Sequence, residues 1–399
     1  MHGLARHWSL DPTVTFLNHG SFGACPRAVQ QAQSELRTRL EAQPVRFMLE
    51  RLEPELDASR TALAAFVGAD PAGLVFVRNA TEGVNTVLAS FPLRAGDAVL
   101  TTSHAYGACK NALDRVASRT GARVIVAEVP FPLSGPEAVL EAVERAWTKD
   151  VRLALLDHIT SPTGLVFPIA ELVKLLEGKG VACLIDGAHA PGMVPLSIEA
   201  LGASYYTGNC HKWLCAPKGA ALLWAREDRR KELRPLVTSH GSTADRPERS
   251  RLHLEFDWTG TDDPSAFLSV KASIEVMAGL LPGGWPAIME HNRRLVLEAR
   301  DLLCRALEIE APAPASMIGS LATLPLPDRA SGPAALQRQL YAEHKIELPT
   351  WAWPRPPRRI FRVSAQLYNT IEHYEGLARA LLALLSKEAR AADRAPGGG

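Results

Sequence analysis

The stretch Ala203-Ser204-Tyr205-Tyr206-Thr207-Gly208-Asn209-Cys210-His211-Lys212-Trp213-Leu214 sets one lysine in a polar turn between apolar runs. Flanked by Trp213 and Leu214, the Lys212 ammonium is poorly hydrated, and desolvation makes the neutral, nucleophilic amine more accessible. Such an amine can form a Schiff base with an aldehyde. A lone lysine in this setting can equally lay its stem over apolar side chains, so its neighbours must decide. At 26 residues upstream, Asp186 closes the apolar run Cys183-Leu184-Ile185, and His189 follows three residues later. A carboxylate at the end of a buried strand is costly unless it meets a positive partner.

The elements that must position these residues alternate along the chain. Apolar, β-branched runs at Leu74–Val77, Ala98–Thr101, Val124–Val129, Leu153–Asp157, Ala182–Asp186, Ala203–Thr207 and Ala220–Ala225 read as strands. Amphipathic segments at Glu82–Ser90, Ala108–Arg119, Glu137–Trp147 and Ile169–Gly178 separate several of them. Strand, helix, strand in repetition predicts an α/β fold with a mostly parallel sheet covered on both faces. In such a sheet a ligand sits beyond the carboxyl ends of the strands, and polar residues cluster where the apolar runs stop. After Val77 come Arg78-Asn79-Ala80-Thr81-Glu82-Gly83, where Asn79 or Thr81 caps a helix and turns backbone N–H groups toward an anion such as phosphate. Capping alone accounts for Thr81 equally well. After Thr102 come Ser103-His104-Ala105-Tyr106, two rings at the same edge, either of which can stack on a flat ligand. After Leu156 come Asp157-His158-Ile159-Thr160-Ser161, a further polar turn. A phosphate cap, a stacking ring, an acid for a pyridine nitrogen and a Schiff-base lysine are together the equipment of a pyridoxal 5'-phosphate (PLP) site.

Composition bounds the rest. A chain of 399 residues exceeds the size at which one core usually divides, so two domains are expected. With Lys+Arg 44 against Asp+Glu 43, the balance gives no reason to expect a nucleic-acid partner. Six scattered cysteines form no Cys-x-x-Cys pair of the kind that binds zinc, and no metal site is expected. The start of the chain lacks the apolar core of a signal peptide and no apolar run is long enough to span a membrane, so no membrane partner and a reducing cytoplasm are expected. Helices are expected from about Ala28 to Ala42, Glu55 to Val67, Asp263 to Leu281 and Trp285 to Leu307, with a frayed tail from Arg390.

The order and spacing of Asp186-Gly187-Ala188-His189 and His211-Lys212 resemble those of fold-type I PLP enzymes of the class V aminotransferase superfamily, and among them isopenicillin N epimerase and its relatives. The resemblance runs from Phe16-Leu17-Asn18-His19-Gly20 to Leu367-Tyr368-Asn369-Thr370. It implies a large, mostly parallel-sheet cofactor domain and a smaller α+β domain: an N-terminal segment over 1–45 that joins the small domain to the active-site mouth, a PLP-binding domain over 46–265, a small domain over 266–390 and a disordered tail over 391–399. It implies that Lys212 holds the cofactor, Asp186 pairs with the ring nitrogen and His189 meets the ring hydroxyl. Asn79, Ala80, Thr81, Asn209 and His211 match phosphate positions, and Thr160 and Ser161 match the turn beside the cofactor. His104 or Tyr106 takes the stacking role. Thr261 resembles a residue that such dimers lend to the neighbouring subunit's phosphate, so a homodimer with a shared site is implied. Arg362 matches the arginine that holds a substrate α-carboxylate, Arg46 resembles a second carboxylate contact, and Asn18, Gly20 and Ser21, in the turn at the mouth, are expected to bind substrate.

The family's reactions all begin with loss of the α-hydrogen of an amino acid, and Lys212 is the obvious base. Return of the proton to the opposite face gives epimerisation, with His104 or Tyr106 as the opposite-face group; loss of a β-substituent gives a C–S lyase; protonation at the cofactor gives transamination. Cysteine desulfurases of the superfamily carry a reactive cysteine shortly before the carboxylate-binding arginine, and the segment 343–359 has none. The same region, Leu348-Pro349-Thr350-Trp351-Ala352-Trp353-Pro354-Arg355, is rigid, aromatic and basic, and is expected to shape a pocket for a substrate longer than cysteine.

Overall fold

A computed structural model describes residues 3–328 and 332–394. Twelve strands are present among them. In chain order they are β1 (Thr15–Phe16), β2 (Leu74–Val77), β3 (Ala98–Thr102), β4 (Arg123–Ala127), β5 (Val151–Asp157), β6 (Ala182–Asp186), β7 (Tyr205–Asn209), β8 (Ala221–Ala225), β9 (Leu321–Leu326), β10 (Ile346–Glu347), β11 (Thr350–Ala352) and β12 (Arg359–Ser364).

Seven of them form one sheet in the order β2-β8-β7-β6-β5-β3-β4. Pairing is parallel from β7 through β6, β5 and β3 to β4. Only β8 runs the other way, antiparallel to both β2 and β7. The reason is local: the turn carrying Lys212 is too short for a helical crossover, so β7 and β8 must pair as a hairpin. The other six strands therefore end on one edge, and the lysine turn lies on that edge.

Alternate residues along each strand feed two separate apolar layers. Leu74, Phe76, Leu100, Leu156, Ile185 and Leu222 face one layer. Val75, Val77, Val99, Leu155, Leu184 and Leu223 face the other, against Val84 and Val87 of helix Ala80–Ser90 and Cys109, Leu113 and Val116 of helix Gly107–Thr120. Burial on both faces is why these strands read as continuous apolar runs rather than alternating ones. Each fully buried leucine or valine contributes about 1.5–3 kcal/mol relative to exposure.

A second, antiparallel sheet has the order β11-β12-β9. Helix Gly284–Leu307 packs on β9 and against helix Ile371–Arg394. The N-terminal segment is tied to this part of the chain, since β1 pairs parallel with β10, Thr15 opposite Ile346.

The expected strands and crossover helices recur within a few residues of their predicted ends. The exceptions have physical causes. The helix expected from Glu55 begins at Leu52, continuing a π-helical turn over Phe47–Arg51. The segment expected as one helix from Asp263 is broken into Ser265–Leu268 and Val270–Ala278. Strand β7 starts two residues later than expected because Gly202 ends the preceding helix at φ +71, and the shift carries Asn209 onto the strand end. Helix Ile371–Arg394 continues past the expected start of the tail, and 395–399 lie outside the described residues. No helix among the described residues is long and apolar enough to cross a membrane.

Candidate active site

The carboxyl ends of the parallel strands open onto a cleft of about 350 Å³. One end is lined by Asn79, Ala80, Thr81, Asn209, His211 and Gly219, the floor by Asp157, Asp186 and Lys212, and the walls by Tyr106, Ser161, His189, Ser21 and Phe22.

The Asn79 side chain caps helix Ala80–Ser90 by accepting from Glu82 N–H at 2.9 Å, and Glu82 reaches back to Arg78 N–H at 2.8 Å. Asn79 is thus the cap, and Thr81 sits in the first turn. Asn209 Oδ1 accepts from Ala80 N–H at 2.8 Å, which locks the strand end to the helix start. A Cβ on Gly83 would come 2.1 Å from Thr207 Oγ1, so glycine is what lets the helix N-terminus sit this low over the sheet. The His211 ring spends Nδ1–H on Ala220 C=O at 3.0 Å. Burial holds it neutral, its pKa brought down to about 4.

Lys212 is where three influences meet. Burial brings its pKa down from the usual lysine value to about 7, the positive charge of Arg362 pushes the same way, and Asp186 opposes. His189 approaches Nζ with Nε2 at 3.2 Å. Trp213 donates its indole N–H to His189 Nδ1 at 3.3 Å. An indole nitrogen is a donor only, so Nδ1 is the acceptor and the proton of a neutral ring sits on Nε2, pointing at the amine. Burial keeps His189 neutral by pushing its pKa well below the usual value. The backbone of the lysine turn is held from the far side: His19 Nε2–H donates to Lys212 C=O at 3.0 Å and Tyr368 O–H donates to His19 Nδ1 at 2.8 Å. Gly23, at φ +68, passes so close that a Cβ there would lie 2.0 Å from His211 C=O.

Asp186 is buried at the end of β6, and burial raises its pKa, opposed by hydrogen bonds from Ala188 N–H at 3.0 Å and the Cys109 thiol at 3.3 Å. Asp157 lies beside it at the end of β5. Burial, then the Asp186 charge, push Asp157 well above the usual carboxylate range.

Arg362 lies behind Ser161, to whose carbonyl it donates. Its guanidinium carbon is 5.4 Å from the Trp351 ring centroid, and its buried Nε has no partner among the described residues. Burial brings its pKa down to about 10, so it stays charged at neutral pH. Gly20 presses on it, a Cβ there falling 3.3 Å from Arg362 Nη2, and Gly20 N–H donates to Ser364 Oγ at 3.1 Å.

Several expected residues stand elsewhere. His104 is in the interior, its Nε2–H bonded to Val129 C=O at 3.1 Å and its Nδ1 to Thr163 Oγ1 at 2.6 Å, with the Trp353 ring 4.7 Å away. Burial brings its pKa down to about 4, and neither nitrogen is free. The ring that lines the cleft is Tyr106, 45% exposed. Thr160 spends its hydroxyl inside its own turn, on Thr163 and on Leu165 N–H. The Asn18 side chain accepts from Ser21 Oγ at 2.6 Å. Arg46 is on the surface in an ion pair with Glu50, and Thr261 is exposed; neither lines the cleft of its own chain. Conversely, Asp157 and Cys109 were not singled out beforehand. Asp157 carries the same signal as Asp186, an acid closing an apolar strand. Cys109 carries none, because it occupies an ordinary apolar position of a helix.

These residues fit PLP on their own chemistry. Asp186 is a buried carboxylate with two neutral donors and no ion pair among the described residues, lacking only a cation such as a pyridinium. Lys212 offers an amine of which about half is free of its proton at pH 7, and a capped helix start faces the same space.

Comparison with known proteins agrees. The model of the aminotransferase class-V family matches residues 16–346. The chain is 36% identical over 389 residues to isopenicillin N epimerase of Amycolatopsis lactamdurans, covering 94% of this chain and 96% of that protein. It is 32% identical over 408 residues to putative L-cysteine desulfhydrase 1 of Oryza sativa subsp. japonica, covering 94% and 83%. Among solved structures, C-DES with glycine covalently linked to its PLP cofactor superposes with a TM-score of 0.78 at 21% identity, covering 93% of this chain and 96% of that one, a likeness of fold. The chain belongs to the class-V aminotransferase family of PLP-dependent enzymes.

Proposed function

We propose that the enzyme acts at the α-carbon of an amino acid, or of a small molecule containing one, and epimerises it by moving the α-proton. The observation that carries this reading is Lys212: an amine of pKa about 7 in a cleft that also holds a buried carboxylate, with a buried guanidinium behind its wall. PLP, when bound to an amino acid, acidifies its α-hydrogen by drawing the bonding pair into the ring. Lys212 Nζ, in its neutral form, would take that hydrogen. His189 Nε2–H would hold the ring hydroxyl and Asp186 the ring nitrogen. Tyr106 would supply the stacking ring, a role for which His104 is too deep. Asn79, Ala80, Thr81, Asn209 and His211 would hold the phosphate. Arg362 holds the α-carboxylate, and burial behind Ser161 and Trp351 strengthens its pull. The likeness to isopenicillin N epimerase over nearly the whole chain supports proton return to Cα. Tyr106 is the one expected opposite-face group that reaches the cleft.

The second reading is β-elimination by a C–S lyase, favoured by the likeness to a putative L-cysteine desulfhydrase over a similar span. Both readings are tested by incubating the holoenzyme with candidate amino acids in deuterated water. Deuterium at Cα with inverted configuration supports epimerisation; release of pyruvate and ammonia replaces it with elimination.

The site is further proposed to be shared in a homodimer. Thr261 sits on the loop after Trp258, whose groove shares Arg78 with the cleft, and does not reach the cleft of its own chain. Phe22 and Leu49 are 72% and 79% exposed, apolar surface that a second subunit would cover. We further propose a division into an N-terminal segment, a large domain to about 265 and a small domain, which the separation of the seven-stranded from the three-stranded sheet supports. A cytoplasmic location accords with six free, buried cysteines.

A further inference from the structure

The Asp186 carboxylate is held from below by a residue on a different element. Helix Gly107–Thr120 starts directly after Tyr106, and its first turn brings Cys109, 1% exposed, under β6. The thiol donates to Asp186 Oδ2 at 3.3 Å while Ala188 N–H donates to Oδ1 at 3.0 Å. Each carboxylate oxygen therefore receives one protein donor. A thiol buried beside two carboxylates keeps its proton, so it acts as a donor and not as a nucleophile.

We infer that Cys109 is a positioning residue that keeps Asp186 ionised and aimed at the cleft. The inference rests on the reading that Asp186 meets the cofactor's ring nitrogen. Burial favours a protonated Asp186, which would have no charge to offer a pyridinium. Hydrogen bonds to both oxygens favour the carboxylate form, because a protonated carboxyl must turn one oxygen into a donor. The same short helix start thus sets Tyr106 on the cleft wall and Cys109 under the acid, three residues apart, so the stacking ring and the acid's support share one backbone.

Serine and alanine leave nearly the same space at position 109 and differ by one donor. The test compares Cys109→Ser and Cys109→Ala holoenzymes by PLP dissociation constant and by the pH midpoint of the bound cofactor's visible absorbance, with apoprotein unfolding temperature as the control for packing. Cys109→Ser is expected to stay within twofold of the parent. Cys109→Ala is expected to bind PLP roughly three- to tenfold more weakly, as for loss of one ordinary hydrogen bond, the thiol being a weak donor, and to shift the absorbance midpoint. Equal behaviour of the two variants, whether both intact or both impaired, overturns the inference. Asp186→Asn separates the two layers: unchanged affinity and spectrum there sink the reading of Asp186 itself, whereas a large loss there beside an intact Cys109→Ala sinks only the role of the thiol.

Discussion

Asp157 and Asp186 face each other as register partners at the ends of β5 and β6, both buried, so two like charges would have to share one pocket. Coulomb repulsion at that spacing lets one of them ionise readily and makes the other hold its proton. Two donors meet Asp186, whereas at Asp157 burial and the Asp186 charge outweigh the Lys110 charge and the Tyr106 backbone N–H, which leaves Asp157 as the proton holder.

A carboxyl whose folded pKa lies above its unfolded value, about 4, takes up a proton on folding. Such a group is neutral in sign below the unfolded pKa and costs stability progressively as pH rises through the folded pKa. Replacing Asp157 with Asn removes that cost. Apoprotein Asp157→Asn is expected to melt higher than the parent at pH 7.5, with the difference closing below about pH 4. A lower melting temperature at pH 7.5 would show Asp157 to be a paired, ionised group.

Lys212 should be the fast-reacting lysine of the apoprotein. Acylation followed by peptide mapping is expected to give a midpoint near pH 7 at Lys212, about three units below an ordinary lysine. Arg362→Leu removes a neighbouring positive charge and should move that midpoint upward. A midpoint near 10 in the parent would contradict the burial on which the base depends.

Tyr106 and His104 separate on substitution. Tyr106→Ala is expected to weaken PLP binding roughly three- to tenfold, the worth of an aromatic stack, while Tyr106→Phe stays close to the parent. His104→Ala should cost about 2–4 kcal/mol of stability through lost packing on Trp353, with the cofactor spectrum of the folded fraction intact. The reverse pattern, spectral change at His104 and none at Tyr106, would exchange their roles.

Arg362→Lys keeps a charge but loses the planar fork. KM for an active amino acid should rise about 10- to 100-fold with PLP content unchanged. Trp351→Ala, which removes the ring beside the guanidinium, should move KM the same way by a smaller factor. Substrate preference unaltered in both Trp351→Ala and Trp353→Ala would remove the expectation that this segment shapes the pocket.

Local patterns were enough to read the sheet, because strands buried on both faces must be apolar at every position and their polar ends then mark one edge. The meeting of Lys212, Asp186 and His189 at that edge is legible for that reason, as is a helix cap at Asn79 or Thr81, but not which of the two forms it. The placement of Tyr106 against His104 was not: two rings two residues apart at a strand end look alike until tertiary hydrogen bonds to Val129 and Thr163 claim one of them. Cys109 was silent because a thiol among apolar helix residues has no signature. Arg46 and Thr261 are exposed and do not line the cleft, so the roles expected of them rest on the proposed homodimer.

The β1–β10 pairing has a consequence for how the enzyme is made. Residues His19 and Gly23 brace the lysine turn, yet the strand that anchors their segment, at Ile346, is synthesised only after all seven strands of the large sheet. A ribosome-bound chain that already possesses the whole seven-stranded sheet still lacks the clamp over its lysine turn. Cofactor capture should therefore wait until β10 has emerged, and disrupting either β1 or β10 should impair it alike.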